Sequence, residues 1–381
     1  MTEVQKTELI LSKGLDNIVV AQTALSSIDG YNGILTYRGI NIHELAGRAT
    51  YEEVVHLLWY GKLPTRAELD ALKQTLAANR ELPGDVIDMI RRFPRTAVPM
   101  EVLRTVVSAL SMYDPEAEDI SREATQRKAV RLTAKFPTIV AVYDRLRNDK
   151  EPVTPDPALG HAANTLYMLK GYRPEEIHAK ALDTYFVLLA DHGLNASTFT
   201  ARAVVSTLAD LHSAITAALA SLKGPLHGGA NEATMRMFLD IGELDRVEGW
   251  IANAFAQKRK IMGFGHRVYR TGDPRAFHLQ RMAKELGEYV GDTRWYEMSL
   301  RAEKAVQSHR ELYPNVDFFS APVLYYCGIP IDLFTPMFAC SRIAGWSAHV
   351  LEQYADNRLM RPQSEYIGPK ENHFIPIEER G

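Results

Sequence analysis

Three of the twelve histidines in this 381-residue chain stand in unusual glycine-containing segments, where an imidazole can meet a ligand at close range. His192 and His227 are each followed by a glycine, and His266 follows one. Because glycine has no Cβ, it lets the backbone approach a ligand and leaves the neighbouring ring uncovered. The other histidines lie in ordinary amphipathic, apolar or terminal contexts, so these three are the candidates for a function.

Asp317 is the candidate for a base. It is a single acid in the sequence Asn315-Val316-Asp317-Phe318-Phe319. Apolar surroundings disfavour a carboxylate and raise its pKa, which suits proton abstraction near neutral pH. An acid at this place could equally be the N-cap of a helix. The sequence alone leaves both interpretations open.

Four arginines stand near proline, glycine or serine rather than in long charge runs. They are Arg270, Arg275, Arg342 and Arg361. Arg342 lies within an apolar segment, where a guanidinium is costly unless it meets an anion. Its planar fork matches a carboxylate with two parallel hydrogen bonds. We therefore expect it to bind an anionic substrate, with a structural salt bridge inside the core as the alternative.

Local motifs for metals and nucleotide cofactors are absent from the sequence. No two histidines have the spacing His-x-x-x-His, although a zinc site assembled from distant positions stays open. Gly263 and Gly265 lack the third glycine of a dinucleotide loop, since position 268 is Val268. We expect no metal and no redox cofactor. Cys327 and Cys340, the two cysteines, are predicted to be buried free thiols.

Short strands are predicted at the start of the chain. Residues 18–20, 26–30 and 34–39 are β-branched stretches broken by glycine, which predicts two or three strands joined by turns. From about residue 41 onward, helical signals dominate. The expected fold class is therefore mainly α, with short N-terminal β strands.

Capping signals place helix boundaries in the segment that follows. The capping-box pattern, in which threonine is followed three residues later by glutamate, begins at Thr50 and again at Thr65. Gly61 stands where the first of these helices should end. Pro137 lies inside an otherwise helical pattern, so we expect a kink or break there.

The distribution of apolar residues predicts two domains, as the chain length also does. Segments 183–222 and 329–350 are strongly apolar, whereas the helices between them carry more charge. The simplest interpretation is a large helical domain, residues 1–227 and 326–381, interrupted by a smaller helical domain, residues 228–325. Ligand sites tend to lie in the cleft between domains.

Charge and composition exclude several classes of partner. The formal net charge of −3 gives no general attraction for nucleic acid or an anionic membrane surface. No apolar run approaches the roughly 20 residues that cross a bilayer, and residues 1–6 have no signal-peptide pattern. We expect a cytoplasmic protein without nucleic-acid or membrane partners.

Four short motifs occur together in an order that resembles the citrate synthase family. They are GPLHG at 224–228, GFGH at 263–266, DPR at 273–275 and NVDF at 315–318. The resemblance extends in order from the N-terminal strands to Arg361 and Pro362, and the length resembles the shorter bacterial and archaeal form. It implies a mainly helical fold with a large and a small domain, and a small domain that rotates over the bound keto acid.

The resemblance also implies a catalytic role for each of three residues. Asp317 would remove a proton from the methyl group of acetyl-CoA. His227 would donate a hydrogen bond to the thioester oxygen, and His266 would polarise the keto carbonyl of oxaloacetate. Hydrolysis of the resulting citryl-CoA would follow, with the CoA thioester as a substrate rather than a cofactor.

Substrate contacts follow from the same resemblance. Arg361 would enter the site of a partner subunit, so that a homodimer would be the active form. The residues assigned to the keto acid are His192, Arg275, Phe338, Arg342 and Arg361. The residues assigned to CoA are Lys260, Ile261, Met262, Gly263, Phe264, Gly265 and Arg270.

Three alternatives to a citrate synthase stay open. A 2-methylcitrate synthase would share the fold and the catalytic residues but use propionyl-CoA, and one methylene is worth only about 1–3 kcal/mol in an apolar pocket. The other two are a metal-dependent hydrolase using the same histidines and aspartate, and a catalytically silent CoA-binding module. No single residue separates the first alternative from the citrate synthase.

Overall fold

The computed structural model of the chain describes residues 11–15 and 18–380. The expectation about a signal peptide concerns residues 1–6, which lie outside these described residues. One antiparallel sheet is formed, in the order β1 (Ser26–Asp29), β2 (Ile34–Tyr37) and β3 (Ile40–Asn41). Residues 18–20 form no strand, so that part of the prediction is wrong. Val19 is 87% exposed there, without a neighbouring strand to cover it.

The fold is mainly α, as the sequence predicts. Sixteen α-helices lie within the described residues. They are α1 (Ile42–Leu45), α2 (Tyr51–Tyr60), α3 (Arg66–Ala78), α4 (Gly84–Arg91), α5 (Pro99–Leu110), α6 (Arg122–Arg147), α7 (His161–Lys170), α8 (Glu176–Leu189), α9 (Ala196–Val205), α10 (Leu211–Leu222), α11 (Ala230–Ile241), α12 (Val247–Ala256), α13 (Pro274–Val290), α14 (Arg294–His309), α15 (Val316–Tyr326) and α16 (Phe334–Ala355).

Local capping determines where the first long helices begin and end. Both predicted capping boxes are formed: the Thr50 and Thr65 side chains accept from the backbone N–H of the glutamate three residues on. Gly61 ends α2 in the left-handed conformation, with a φ of 81°, which a residue without a Cβ adopts at little cost.

Of the kink or break predicted at Pro137, the break is absent. Helix α6 continues through Pro137 for 26 residues. Pro137 is buried, as are its neighbours Phe136 and Thr138, and α6 packs against α5, α7 and α16. Packing on these helices keeps the helix continuous although one backbone hydrogen bond is lost.

Helix α16 is the centre of the hydrophobic core. Nearly all of its residues are buried, and α2, α6, α8, α9 and α10 pack around it. Helices α11 to α15 pack mainly on one another, with α13 against α15 and α12 against α14. The domain boundaries at 227/228 and 325/326 remain a prediction.

Two further sequence expectations can be compared with the structure. Cys327 and Cys340 are buried free thiols, as predicted. Within the described part of the chain, no helix combines the length and apolar character that a membrane span requires.

Candidate active site

Loops and helix ends from distant parts of the sequence converge on one cluster. His192 follows α8, His227 lies in the turn between α10 and α11, and His266 lies in the loop between α12 and α13. The ring centroids of His192 and His266 are 5.2 Å apart. Asp317 is in the first turn of α15, and the charge of Arg275 acts on the pKa of His192, His266 and Asp317.

Helix α16 contributes an aromatic ring and a cation to this cluster. The Phe338 ring lies 6.3 Å from the His227 ring, centroid to centroid, and 4.7 Å from the guanidinium carbon of Arg342. Phe338 and Arg342 are one helical turn apart, so both project from the same face of α16. The structure therefore brings the predicted catalytic trio together with four of the five residues assigned to the keto acid.

His227 is held in one tautomer by Ser197. Its Nε2 lies 3.3 Å from the Ser197 backbone N and 2.8 Å from the Ser197 Oγ. Because a backbone N–H can only donate, this contact favours the tautomer in which Nε2 accepts and the ring proton is on Nδ1. Burial, aided by the Arg342 charge, lowers the pKa of His227 to about 4. His227 is thus a neutral donor through Nδ1.

Ser197 is itself fixed by two neighbours. The Trp346 indole N–H donates to its Oγ at 3.1 Å, and the same Oγ lies 2.8 Å from Oδ1 of Asn195, which caps α9. Sequence analysis missed Ser197 as a functional residue. Its one signal was its position five residues after His192, in the same glycine-containing segment.

His266 is held in the opposite tautomer by its own loop. Its Nδ1 accepts from the backbone N–H groups of Val268, at 3.0 Å, and Tyr269, at 3.2 Å. The ring proton must therefore be on Nε2. Burial, followed by the positive charge of Arg275, lowers the pKa of His266 to about 4. His266 is a neutral donor through Nε2.

Asp317 has the character of a base rather than a cap. Asn315 is the N-cap of α15, and its side chain accepts from the Asp317 backbone N–H at 3.0 Å. The Asp317 Oδ1 is buried without a hydrogen-bond partner among the described residues. Burial raises the pKa of this carboxyl to about 7, although the Arg275 charge works in the opposite direction.

Arg275 forms a buried ion pair with Asp273, a residue that sequence analysis quoted in a motif without giving it a role. Its Nε and Nη2 donate to the two Asp273 oxygens at 2.9 and 2.7 Å. Asp273 also accepts from the Val316 backbone N–H at 3.1 Å. This pair joins the start of α13 to the start of α15, next to Asp317, and it leaves Nη1 of Arg275 to meet an anion.

Arg342 meets a backbone carbonyl rather than a carboxylate. Its Nε donates to the Leu189 carbonyl at 2.6 Å, which leaves both terminal nitrogens for a ligand. Burial lowers its pKa to about 10, so the guanidinium still carries its charge at neutral pH. This geometry favours the anion-binding interpretation of Arg342 over a structural salt bridge.

The segment assigned to CoA pairs with the segment that precedes Asp317. The Gly265 N–H donates to the Tyr313 carbonyl and the Asn315 N–H to the Gly263 carbonyl, both at 2.9 Å. This antiparallel pairing turns the amide and carbonyl of Phe264 outward. Gly263 has a φ of 80°, and a Cβ there would lie 2.8 Å from the Phe318 ring. Position 263 must therefore be glycine.

Three basic residues lie outside this cluster: two that are assigned to CoA and one that is assigned to the keto acid. Lys260, Arg270 and Arg361 are exposed, and Arg361 follows α16 in a segment without helix or strand. Their roles in binding CoA and the keto acid remain predictions. Among the described side chains, no group of three or more His, Cys, Asp or Glu residues could hold a metal ion.

One base and two neutral donors, gathered around Arg275 and Arg342, can perform a specific reaction. The base can remove a proton from a carbon acid, and the two imidazole N–H groups can each stabilise negative charge on a carbonyl oxygen. The nearby guanidinium groups suit a substrate with carboxylates. The helical fold and this site together define a condensing enzyme.

Comparison with known proteins identifies the family. The family model for the citrate synthase C-terminal domain matches residues 14–363. The chain is 50% identical to citrate synthase of Haloferax volcanii over 376 residues, which cover 97% of this chain and 99% of that one. It is 49% identical to citrate synthase 2 of Bacillus subtilis (strain 168), with the same coverage. The chain belongs to the citrate synthase family.

Solved structures agree with this assignment. The citrate synthase of Pyrobaculum aerophilum superposes with a TM-score of 0.91 at 41% identity, covering 100% of both chains. The Thermoplasma acidophilum citrate synthase, solved as a ternary complex with carboxymethyl coenzyme A and oxaloacetate, has a TM-score of 0.91 at 35% identity, covering 97% of this chain and 100% of that one. A 2-methylcitrate synthase of Shewanella oneidensis is 42% identical over 96% of this chain and 97% of its own length.

Proposed function

We propose that this enzyme condenses acetyl-CoA with oxaloacetate and hydrolyses the citryl-CoA that forms. The observation that supports this most strongly is the unpartnered Oδ1 of Asp317, buried in the cluster that also holds two neutral imidazole donors. A carboxyl whose pKa is about 7 is a strong enough base for a carbon acid and is still ionised at physiological pH.

The first step uses Asp317 and His227. Asp317 takes a proton from the methyl group of the acyl thioester, and the electron pair moves onto the thioester oxygen. The Nδ1–H of His227 donates to that oxygen as negative charge develops. A preorganised donor of this kind is worth about 10²- to 10³-fold in kcat, and Ser197 supplies the preorganisation.

The second step uses His266 and the guanidinium groups. The Nε2–H of His266 donates to the keto oxygen of oxaloacetate, so that the enol carbon attacks the keto carbon and a carbon–carbon bond forms. Arg275, Arg342 and His192 hold the keto diacid in the orientation for attack. Water then adds to the thioester carbonyl of citryl-CoA, the carbon–sulfur bond breaks and CoA leaves as the thiol.

We further propose that the active form is a homodimer in which Arg361 completes the site of the partner. The segment after α16 supports this, because it exposes large apolar side chains that a second subunit would cover. These are Leu359, Tyr366, Ile367, Phe374, Ile375 and Ile377. A shallow groove between α5 and α10, of about 470 Å³, offers further surface.

A complementation experiment tests the shared site. Arg361→Ala and Asp317→Asn variants are unfolded together, refolded as a mixture and assayed. In a hybrid dimer, one site combines an intact Asp317 with an intact Arg361, so activity should recover to about a quarter of wild type if chains mix at random. Recovery is absent if Arg361 acts within its own chain or if the protein is a monomer.

Domain closure is the remaining structural proposal. Residues 228–325 carry His266, Arg275 and Asp317, whereas His192, His227 and Arg342 belong to the proposed large domain. Rotation of the small domain over bound oxaloacetate would exclude water before acetyl-CoA binds and would limit wasteful thioester hydrolysis. Oxaloacetate alone should therefore change the small-angle X-ray scattering profile, whereas acetyl-CoA alone should not.

The identity of the acyl group distinguishes a citrate synthase from a 2-methylcitrate synthase. The similarity to a 2-methylcitrate synthase favours some use of propionyl-CoA. We propose that acetyl-CoA is the better substrate, because the two relatives at 49–50% identity are citrate synthases. Comparison of kcat/KM for the two thioesters tests this, and a preference for propionyl-CoA overturns it.

Cytoplasmic location also stays a prediction, which cell fractionation tests.

A further inference from the structure

Tyr269 contacts both imidazoles on the keto-acid side of the site. Its hydroxyl lies 3.1 Å from Nε2 of His192, and its backbone N–H donates to Nδ1 of His266 at 3.2 Å. Its ring centroid lies 5.5 Å from that of His192 and 4.7 Å from that of His266. The side chain is only 5% exposed, so the hydroxyl has a partner in a place where losing it would be costly.

We infer that Tyr269 is a positioning residue for oxaloacetate, which fixes the His192 ring through its hydroxyl while its backbone N–H fixes the His266 ring. This inference rests on the proposed function, since it concerns how that substrate is held. His192 and His266 come from segments more than 70 residues apart in sequence, and Tyr269 sets their relative orientation.

A histidine ring needs such a partner to keep one orientation. The χ2 angle of a histidine has a broad energy minimum, and a neutral imidazole can carry its proton on either nitrogen. Burial, together with the charge of Arg275, keeps the pKa of His192 well below its usual value. The ring is therefore neutral, and the contact with the tyrosine hydroxyl occupies Nε2 and holds the ring in one orientation.

The N-terminal sheet holds Tyr269 in place. The Arg270 N–H donates to the Gly30 carbonyl at 2.8 Å, in the turn between β1 and β2. The Thr271 hydroxyl donates to the Tyr31 carbonyl at 3.3 Å. A Cβ at Gly30 would lie 2.2 Å from the Val268 carbonyl oxygen. Only glycine at position 30 allows the hairpin to approach the loop this closely.

The Tyr269→Phe variant tests the inference directly. It removes the hydroxyl and leaves the backbone bond to His266 intact, so the KM for oxaloacetate should rise about tenfold while the KM for acetyl-CoA stays within about twofold of wild type. Tyr143→Phe is the matched control, because Tyr143 is also buried and its hydroxyl donates to the Ala97 carbonyl at 2.6 Å, between α4 and α5. The control should change neither KM.

A second variant tests the same contact from the side of the sheet, in case Tyr269→Phe misfolds. Gly30→Ala should displace the loop and raise the KM for oxaloacetate, and it should raise the KM for acetyl-CoA as well, because Arg270 in the same loop is assigned to CoA. Gly249→Ala, at a helical position with no atom within 4 Å of the added Cβ, should not. An unchanged KM for oxaloacetate in both Tyr269→Phe and Gly30→Ala, or an equal rise for both substrates in Tyr269→Phe, overturns the inference. If the wild-type enzyme itself fails to condense the two substrates, the proposed function fails instead.

Discussion

His227 and His266, the two proposed oxyanion donors, offer the same chemical group by opposite means. Both rings are neutral, with pKa values lowered to about 4 by burial, and both offer one N–H. His227 donates through Nδ1 because Ser197, 30 residues away in the sequence, occupies Nε2. His266 donates through Nε2 because the backbone of its own loop occupies Nδ1.

This difference shows that a donor can be fixed by a tertiary contact or by local backbone. The His227 donor depends on α9 and on Trp346 of α16, so it is formed only when the core is packed. The His266 donor is set within three residues, and the position of its loop then depends on the hairpin at Gly30. The two donors should therefore respond differently to substitution.

The largest effect should come from removing the base that both donors serve. Asp317→Asn leaves both imidazoles in place and should lower kcat by about 10³-fold, since the general base is lost.

In the wild type, kcat/KM should fall as the pH drops through about 7, because Asp317 with a pKa of about 7 becomes protonated. Initial rates from pH 5 to pH 9 measure this. A fall in kcat/KM centred near pH 4 would assign this pH dependence to the histidines instead.

The next largest effect separates the two donors. Asparagine places an amide N–H where His Nδ1 was, and glutamine places one where Nε2 was. At position 227, we expect His227→Asn to keep about tenfold more kcat than His227→Gln, and at position 266 the order should reverse. Each variant should lose about 10- to 10³-fold relative to wild type. The same order of retention at both positions would contradict the opposite tautomers.

A smaller effect tests the tertiary support of His227. Ser197→Ala removes the Oγ contact but keeps the backbone N–H that enforces the tautomer, so kcat should fall about five- to tenfold with little change in the KM for oxaloacetate. Ser299→Ala is the control, since Ser299 is also fully buried and its hydroxyl donates to the Trp295 carbonyl at 2.7 Å in α14. An equal loss of kcat in both variants would make the Ser197 effect a general packing effect.

The last effect concerns stability rather than rate, and it distinguishes the carboxyl from the imidazoles. The folded state raises the pKa of Asp317 from 3.8 to about 7, so stability is lost as the pH rises through that window, by at most about 4 kcal/mol. The histidines have lowered pKa values, so they cost stability as the pH falls from about 6.5 towards 4. Asp317→Asn should raise the melting temperature by a few degrees at pH 8 and hardly at pH 4. An equal rise at both pH values would contradict this.

Sequence patterns pointed to the proposed reacting groups but not to the residues that orient them. Glycine beside His227 and His266, and aromatic residues around Asp317, marked chemistry that is readable locally. Ser197 and Tyr269 carried no comparable signal, because their function depends on which helix or loop approaches them in the fold. Asp273 was visible beside Arg275, yet its bidentate ion pair became evident only from the geometry.

The fold shows the same division between local and tertiary information. Capping boxes at Thr50 and Thr65 were predicted correctly because all their contacts lie within four residues. A break at Pro137 did not form, since packing of α6 on its neighbours outweighs a local preference for one. The β-branched residues 18–20 satisfied a strand pattern but have no neighbouring strand to pair with.

The opposite tautomers of His227 and His266 are the central claim, and nitrogen NMR tests them most directly. Enzyme labelled with ¹⁵N at the histidine rings is measured at pH 7, with His227→Asn and His266→Gln used to assign the signals. We expect the proton on Nδ1 of His227 and on Nε2 of His266, with neither ring charged between pH 6 and pH 8. The same tautomer in both rings, or an imidazolium at either position, would contradict the account.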